Sequence, residues 1–117
     1  MLKSYELLRQ SESESSKAIK ERINKARDIQ LERFKGIGIY FNSQMSHRQI
    51  RKFCLIDEKA KELLKLAIDE LGISARAYDR ILKVSRTVSD LASSEVIRAE
   101  HISEAVQYRA LDRDLWL

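Results

Sequence analysis

Few side chains in this sequence of 117 residues could do chemistry, and the most pointed of them is Arg76. It lies two residues after Ser74, which follows Leu71-Gly72-Ile73 and opens a helical pattern. Ser74 therefore reads as a helix N-cap, with Arg76 in the first turn. A cation there meets free backbone N–H groups and the positive end of the helix dipole, a placement disfavoured by about 0.3–1 kcal/mol unless an anion is present too. The same geometry suits phosphate, whose oxygens can take unpaired amide hydrogens and a bidentate guanidinium together. Arg80 and Lys83 follow at i+4 and i+7, so one helix face carries a basic stripe. The plainer alternative is that Arg76 pairs with Asp79 at i+3 and that the stripe is solvated surface.

Other reactive residue types are scarce. The single cysteine, Cys54, cannot form an internal disulfide, and its neighbours Phe53, Leu55 and Ile56 mark it as a small buried hydrophobe. Its reactive alternative needs a nearby base, and the only histidines, His47 and His101, supply none that spacing reveals. One cysteine and two distant histidines also lack a four-ligand zinc spacing, so no metal site is expected. Gly36-Ile37-Gly38 invites comparison with a phosphate loop, but no G-K-S/T follows it.

These residues must be held by helices. The chain has no proline and only three glycines, at 36, 38 and 72, so breaks are few. Its length suits one domain, and 44% hydrophobic with 34% charged residues is a folding composition. No apolar run approaches the roughly 18 residues that span a bilayer, and residues 1–6 lack a signal-peptide core, so a cytoplasmic protein without membrane partners is expected. A net charge of +4 and pI near 9.3 permit an anionic partner such as nucleotide or nucleic acid without requiring one, because acidic residues are interspersed.

Residues 1–13 read as a leading arm and linker, and 14–117 as the domain. Ser11 with Glu14 fits a capping box, which places a helix start close by. Ile19, Ile23, Ala26, Ile29 and Phe34 then recur at helical spacing and predict a buried face. Residues 36–42 break the period, and their β-branched and aromatic side chains predict an extended loop tucked onto the bundle. A short helix follows from Ser46 to Phe53. Asp57 caps the clearest helix, with Ala60, Leu63, Leu64, Ala67, Ile68 and Leu71 at i, i+3, i+4, i+7, i+8 and i+11. Gly72 closes it, and the two-residue connection to Ser74 predicts that it lies beside the next helix. That helix carries Tyr78, Ile81, Leu82, Ser85, Val88, Leu91 and Ala92 on one face and runs to about Ser93. A last helix, about Ala99 to Leu111, buries Ile102, Ala105 and Val106, and leaves Trp116 docked or free. The expected fold is all-α: a small bundle of four principal helices with a short extra helix and an apolar loop.

The run from Gly72-Ile73-Ser74-Ala75-Arg76-Ala77-Tyr78-Asp79-Arg80 through Ile81-Leu82-Lys83-Val84-Ser85-Arg86-Thr87-Val88-Ser89-Asp90-Leu91 resembles the signature helix of the magnesium-chelatase-like AAA+ ATPases of the ComM/YifB type. Further similarity lies in Glu14-Ser15-Ser16 leading into Arg22, in Ala26-Arg27 and in Gln30-Leu31-Glu32-Arg33-Phe34. It continues in Asn42-Ser43-Gln44-Met45, in Arg48-Gln49-Ile50-Arg51-Lys52-Phe53-Cys54, and from His101 to Arg109. The resemblance implies the C-terminal helical lid of a hexameric ATPase with ATP and Mg as cofactors. It places the sensor 2 arginine at Arg76, in contact with the γ-phosphate and coupling hydrolysis to lid motion. Arg80 and Lys83 stand as further phosphate or nucleic-acid contacts.

For the parent protein the resemblance implies DNA-linked work, helicase or branch migration. No G-x-x-x-x-G-K-S/T and no hydrophobic strand ending in paired acids occur in the sequence. Hence this chain is expected to be no enzyme by itself, with no catalytic residue of its own, to be monomeric, and to have as partners the N-terminal AAA+ core and neighbouring subunits. Two other readings remain. Leu71-Gly72-Ile73-Ser74 also resembles the turn of a helix-turn-helix, which would set Arg76, Arg80 and Lys83 on DNA, and a purely structural helical interaction domain is the third.

Overall fold

A computed structural model describes residues 4–116, with side chains described from 16 to 108. Five helices follow in order: α1 (Ser4–Arg33), α2 (His47–Phe53), α3 (Glu58–Leu71), α4 (Ala75–Leu91) and α5 (Ala99–Trp116). A 3-10 turn, Asn42–Gln44, stands between α1 and α2. The fold is the all-α bundle that the spacing predicts, and none of its described helices is long and apolar enough to cross a membrane.

Local chemistry sets most of the helix ends. Ser46 caps α2 by accepting from the Gln49 N–H at 3.2 Å while the Gln49 side chain accepts from the Ser46 N–H at 2.8 Å, a reciprocal box that satisfies two orphan donors. Asp57 caps α3 through the Ala60 N–H at 2.8 Å, and Gly72 ends it in the left-handed region at φ 60°. The helix start expected near Ser11 lies earlier, since α1 is already helical from Ser4. The expected linker, residues 1–13 with its polar run 10–13, contains no residue that stops a helix from propagating. At the other end α5 passes Leu111 and continues to Trp116, whose side chain lies outside the described residues.

α4 is the centre of the molecule, packed by α1, α2, α5 and the 3-10 turn, while α3 lies chiefly on α5. The expected side-by-side packing of α3 and α4 is therefore not what the short connection produces. Both helices find their apolar partner in α5. Phe34, Met45, Ile50, Ala60, Leu64, Ile81, Ile97 and Ile102 are each at most 2% exposed and form the core. Ile97 also ties the segment before α5 to the one before α3: its N–H donates to Leu55 O at 2.8 Å, and its carbonyl accepts from the Asp57 N–H at 3.1 Å.

Two expectations about apolar burial need correction. Ile19 and Ile23 are 43% and 45% exposed, and among the described side chains of α1 the first buried one is Ala26. A helix of 30 residues is about 45 Å long, and Arg33, at its C-terminal end, ties it to Asp90 of α4. In the loop, Ile39 packs on the core, but Tyr40 and Phe41 stand 61% and 49% exposed. Hydrogen bonds rather than burial hold that loop. Gln44 Oε1 accepts from the Tyr40 and Phe41 amides at 2.8 and 3.0 Å, and Gln30 Oε1 accepts from the Asn42 N–H at 2.9 Å.

Candidate functional site

The first turn of α4 carries the candidate chemistry. Ser74 has extended backbone angles, and its hydroxyl oxygen accepts from the Ala77 N–H at 3.2 Å, while the Tyr78 N–H donates to Ser74 O at 2.9 Å. That leaves the N–H groups of Ala75 and Arg76 without a protein acceptor among the described residues. Both residues are exposed. Arg76 thus stands beside two unused amide donors at the positive end of a 17-residue helix.

The structure brings Arg76, Arg80 and Lys83 onto one face, where with Asp79 they line a shallow, open depression. The expected alternative pairing of Arg76 with Asp79 does not occur. Asp79 instead takes His47, at the start of α2, whose Nδ1 lies 3.0 and 3.1 Å from the two carboxylate oxygens. A carboxylate can only accept, so Nδ1 carries the hydrogen. Lys83 donates from Nζ to Ser43 O at 3.2 Å, which fastens the basic stripe to the 3-10 turn. Arg76 and Arg80 have no carboxylate within salt-bridge distance among the described residues.

Behind this face lies a polar network that sequence reasoning did not single out. Asp90, 1% exposed, receives Arg33 in bidentate geometry at 2.6 and 2.8 Å, Arg86 Nε at 3.2 Å, and Asn42 Nδ2 at 2.8 Å. Arg86 is itself 2% exposed and donates to the carbonyls of Ser94 and Glu95 at 2.6 and 2.9 Å. Ser93, at φ 55°, reverses the chain after α4 just before these two carbonyls. Burial draws the Arg86 guanidinium down from its ordinary range, and the charge of Asp90 opposes that shift. The one local hint was Arg86 and Asp90 at i,i+4 among α4's core residues; Arg33 is 57 residues away from its partner.

The remaining reactive types are structural. Cys54 is buried, and burial raises its thiol to about 11, so thiolate is scarce at neutral pH. His101, 4% exposed, accepts the Arg98 N–H on Nδ1 at 2.9 Å and so completes the start of α5.

Comparison with known proteins places the chain in a family. Residues 13–109 match the family described as magnesium chelatase, subunit ChlI C-terminal. The chain is 42% identical over 100 residues to the competence protein ComM of Haemophilus influenzae, covering 86% of this chain and 19% of that protein. It is 38% identical over 100 residues to YifB of Escherichia coli, with the same coverage, and 37% over 103 residues to YifB of Salmonella typhimurium, covering 88% and 20%. The chain thus spans about a fifth of the length of these relatives. It belongs to the magnesium chelatase ChlI C-terminal family, as the C-terminal domain of a ComM/YifB-type protein.

Proposed function

We propose that this chain is the helical lid of a hexameric AAA+ ATPase and that Arg76 is its sensor 2 arginine, which contacts the γ-phosphate of ATP and couples hydrolysis to lid movement. The observation that carries this reading is an exposed arginine at a helix N-terminus with two unused amide donors and no carboxylate partner. Such a group is electrostatically misplaced until an anion arrives, so anion binding relieves the conflict. In the parent, the residues of this chain that would hold a phosphate oxygen are Arg76 and the Ala75 and Arg76 amides, with Arg80 further along the stripe. The ATPase core supplies the nucleotide, its Mg and the attacking water; this chain supplies charge that is placed before reaction begins. ATP turnover by the parent carrying Arg76→Ala, set against Arg80→Ala, tests the assignment.

A DNA-processing role for the parent, as helicase or branch-migration motor, is supported by the resemblance and by one relative's being named a competence protein. The helix-turn-helix alternative fares worse. α4 is packed by α1, α2, α5 and the 3-10 turn, so a duplex could meet only its exposed side around Arg76 and Arg80. Duplex binding by the chain alone is therefore expected to be weak and indifferent to sequence. With Arg76, Arg80 and Lys83 as contacts, log K against log salt has a slope no steeper than about −3. A footprint on a defined sequence at physiological salt would reinstate the recognition-helix reading.

The chain alone is also expected to hydrolyse no ATP and to bind it no tighter than about millimolar, since one arginine and a helix end cannot enclose a triphosphate. Calorimetric titration with ATP checks this. Micromolar binding would overturn the claim that the core is required.

A further inference from the structure

We infer that His47 is a positioning residue for the basic face: it holds the Asp79 carboxylate so that an anion meets Arg76 and Arg80 without an acidic competitor. The inference rests on the proposed role of Arg76 toward phosphate and goes beyond it by assigning a second helix to the site. Asp79 is the one carboxylate among the residues that line the depression. Helical spacing puts it within reach of Arg76 at i−3 and Lys83 at i+4, so in an isolated helix it would pair with either. In the folded chain it does neither. Both its oxygens lie 3.0–3.1 Å from His47 Nδ1, which α2 brings from 32 residues away. The second candidate partner is engaged elsewhere too, since Lys83 Nζ donates to Ser43 O.

His47 from α2 is the charged or titratable group bonded to Asp79, and Arg76, Arg80 and Lys83 from α4 share the depression with it. Without His47 the carboxylate is free to turn toward Arg76 and occupy the guanidinium edge that phosphate would use. His47 itself is largely exposed, with 65% of its side-chain surface open, and it is not among the residues of the core or those packed against it. Its contribution is therefore to where Asp79 points, not to the fold.

The test is titration of the 117-residue chain with inorganic tripolyphosphate at low ionic strength, followed by amide NMR shifts. His47→Ala is expected to weaken binding about two- to fivefold, the range of an exposed ion pair. His47→Asn, whose amide nitrogen stands close to where Nδ1 does, is expected to restore it. In an Asp79→Asn background, which lacks the competitor, His47→Ala is expected to change nothing. Unchanged binding in His47→Ala, or an equal loss in the Asp79→Asn background, overturns the inference while Arg76→Ala still abolishes binding. If Arg76→Ala leaves tripolyphosphate binding intact, the phosphate reading itself falls, and this inference falls with it.

Discussion

Asp90→Ala is expected to destabilise the chain by about 3–5 kcal/mol, the range for removing one member of a buried ion cluster. The reason lies in what remains. Asp90 is the only carboxylate that Arg33 and Arg86 pair with among the described residues. Deleting it strands a fully buried guanidinium and a largely buried one beside each other, and removes an acceptor from Asn42. Arginine is not deprotonated in proteins, so the charge would stay uncompensated. For a domain of this size the loss corresponds to a fall of roughly 10–20 °C in Tm, a large share of a typical total stability of about 5–15 kcal/mol. Arg33→Ala is expected to cost less, because it leaves Asp90 still paired with Arg86 and its own site is 13% exposed. Urea unfolding of both variants checks the ordering. A loss below about 1 kcal/mol for Asp90→Ala, or a larger one for Arg33→Ala, would show that the network does not carry the fold in this way.

That network also marks the boundary of what the sequence could say. Helix starts at Ser46, Asp57 and Ser74 were legible because each depends on a side chain within three residues of the backbone group it satisfies, and the end at Gly72 because glycine takes the left-handed conformation freely. The Arg76 face was legible for the same reason, since 76, 80 and 83 are fixed by helical periodicity alone. Arg33 with Asp90 and His47 with Asp79 are 57 and 32 residues apart, and charged residues at such distances look alike whether they end in solvent or in each other. Apolar periodicity misled on two helices. Leu71 keeps the spacing of Leu64 yet is 52% exposed, and Ile19 and Ile23 keep the spacing of Ala26 and Phe34 although only the latter pair is buried. Periodicity names a face; it does not say where along that face the neighbouring helix stops.

Arg76→Ala is expected to leave the isolated chain intact and to disable the parent. In the chain it removes a cation from a helix N-terminus that disfavours it, and no salt bridge is lost, because Asp79 belongs to His47. Stability is expected to change by no more than about 0.5 kcal/mol, and upward if at all. In the parent, on the proposed sensor 2 assignment, the same change removes a charge-assisted contact to the γ-phosphate, so ATP hydrolysis is expected to drop at least ~10-fold, with nucleotide affinity reduced less. Arg80→Ala is the control: it takes the same charge from the same face one turn further from the amide donors, and its effect on turnover is expected to be smaller. Equal losses for the two variants would mean that the face acts only by its net charge. Steady-state turnover with nucleotide binding measured alongside distinguishes these outcomes, and a parent that hydrolyses ATP normally without Arg76 would remove the sensor assignment altogether. Arg76 combines high exposure and the lack of a carboxylate partner with rigid placement, since α4 is gripped at Asp90 from α1 and at Asp79 from α2. On the proposed assignment, a side chain without a structural partner among the described residues, on the helix that α1, α2 and α5 all pack against, meets a ligand supplied from outside its own domain.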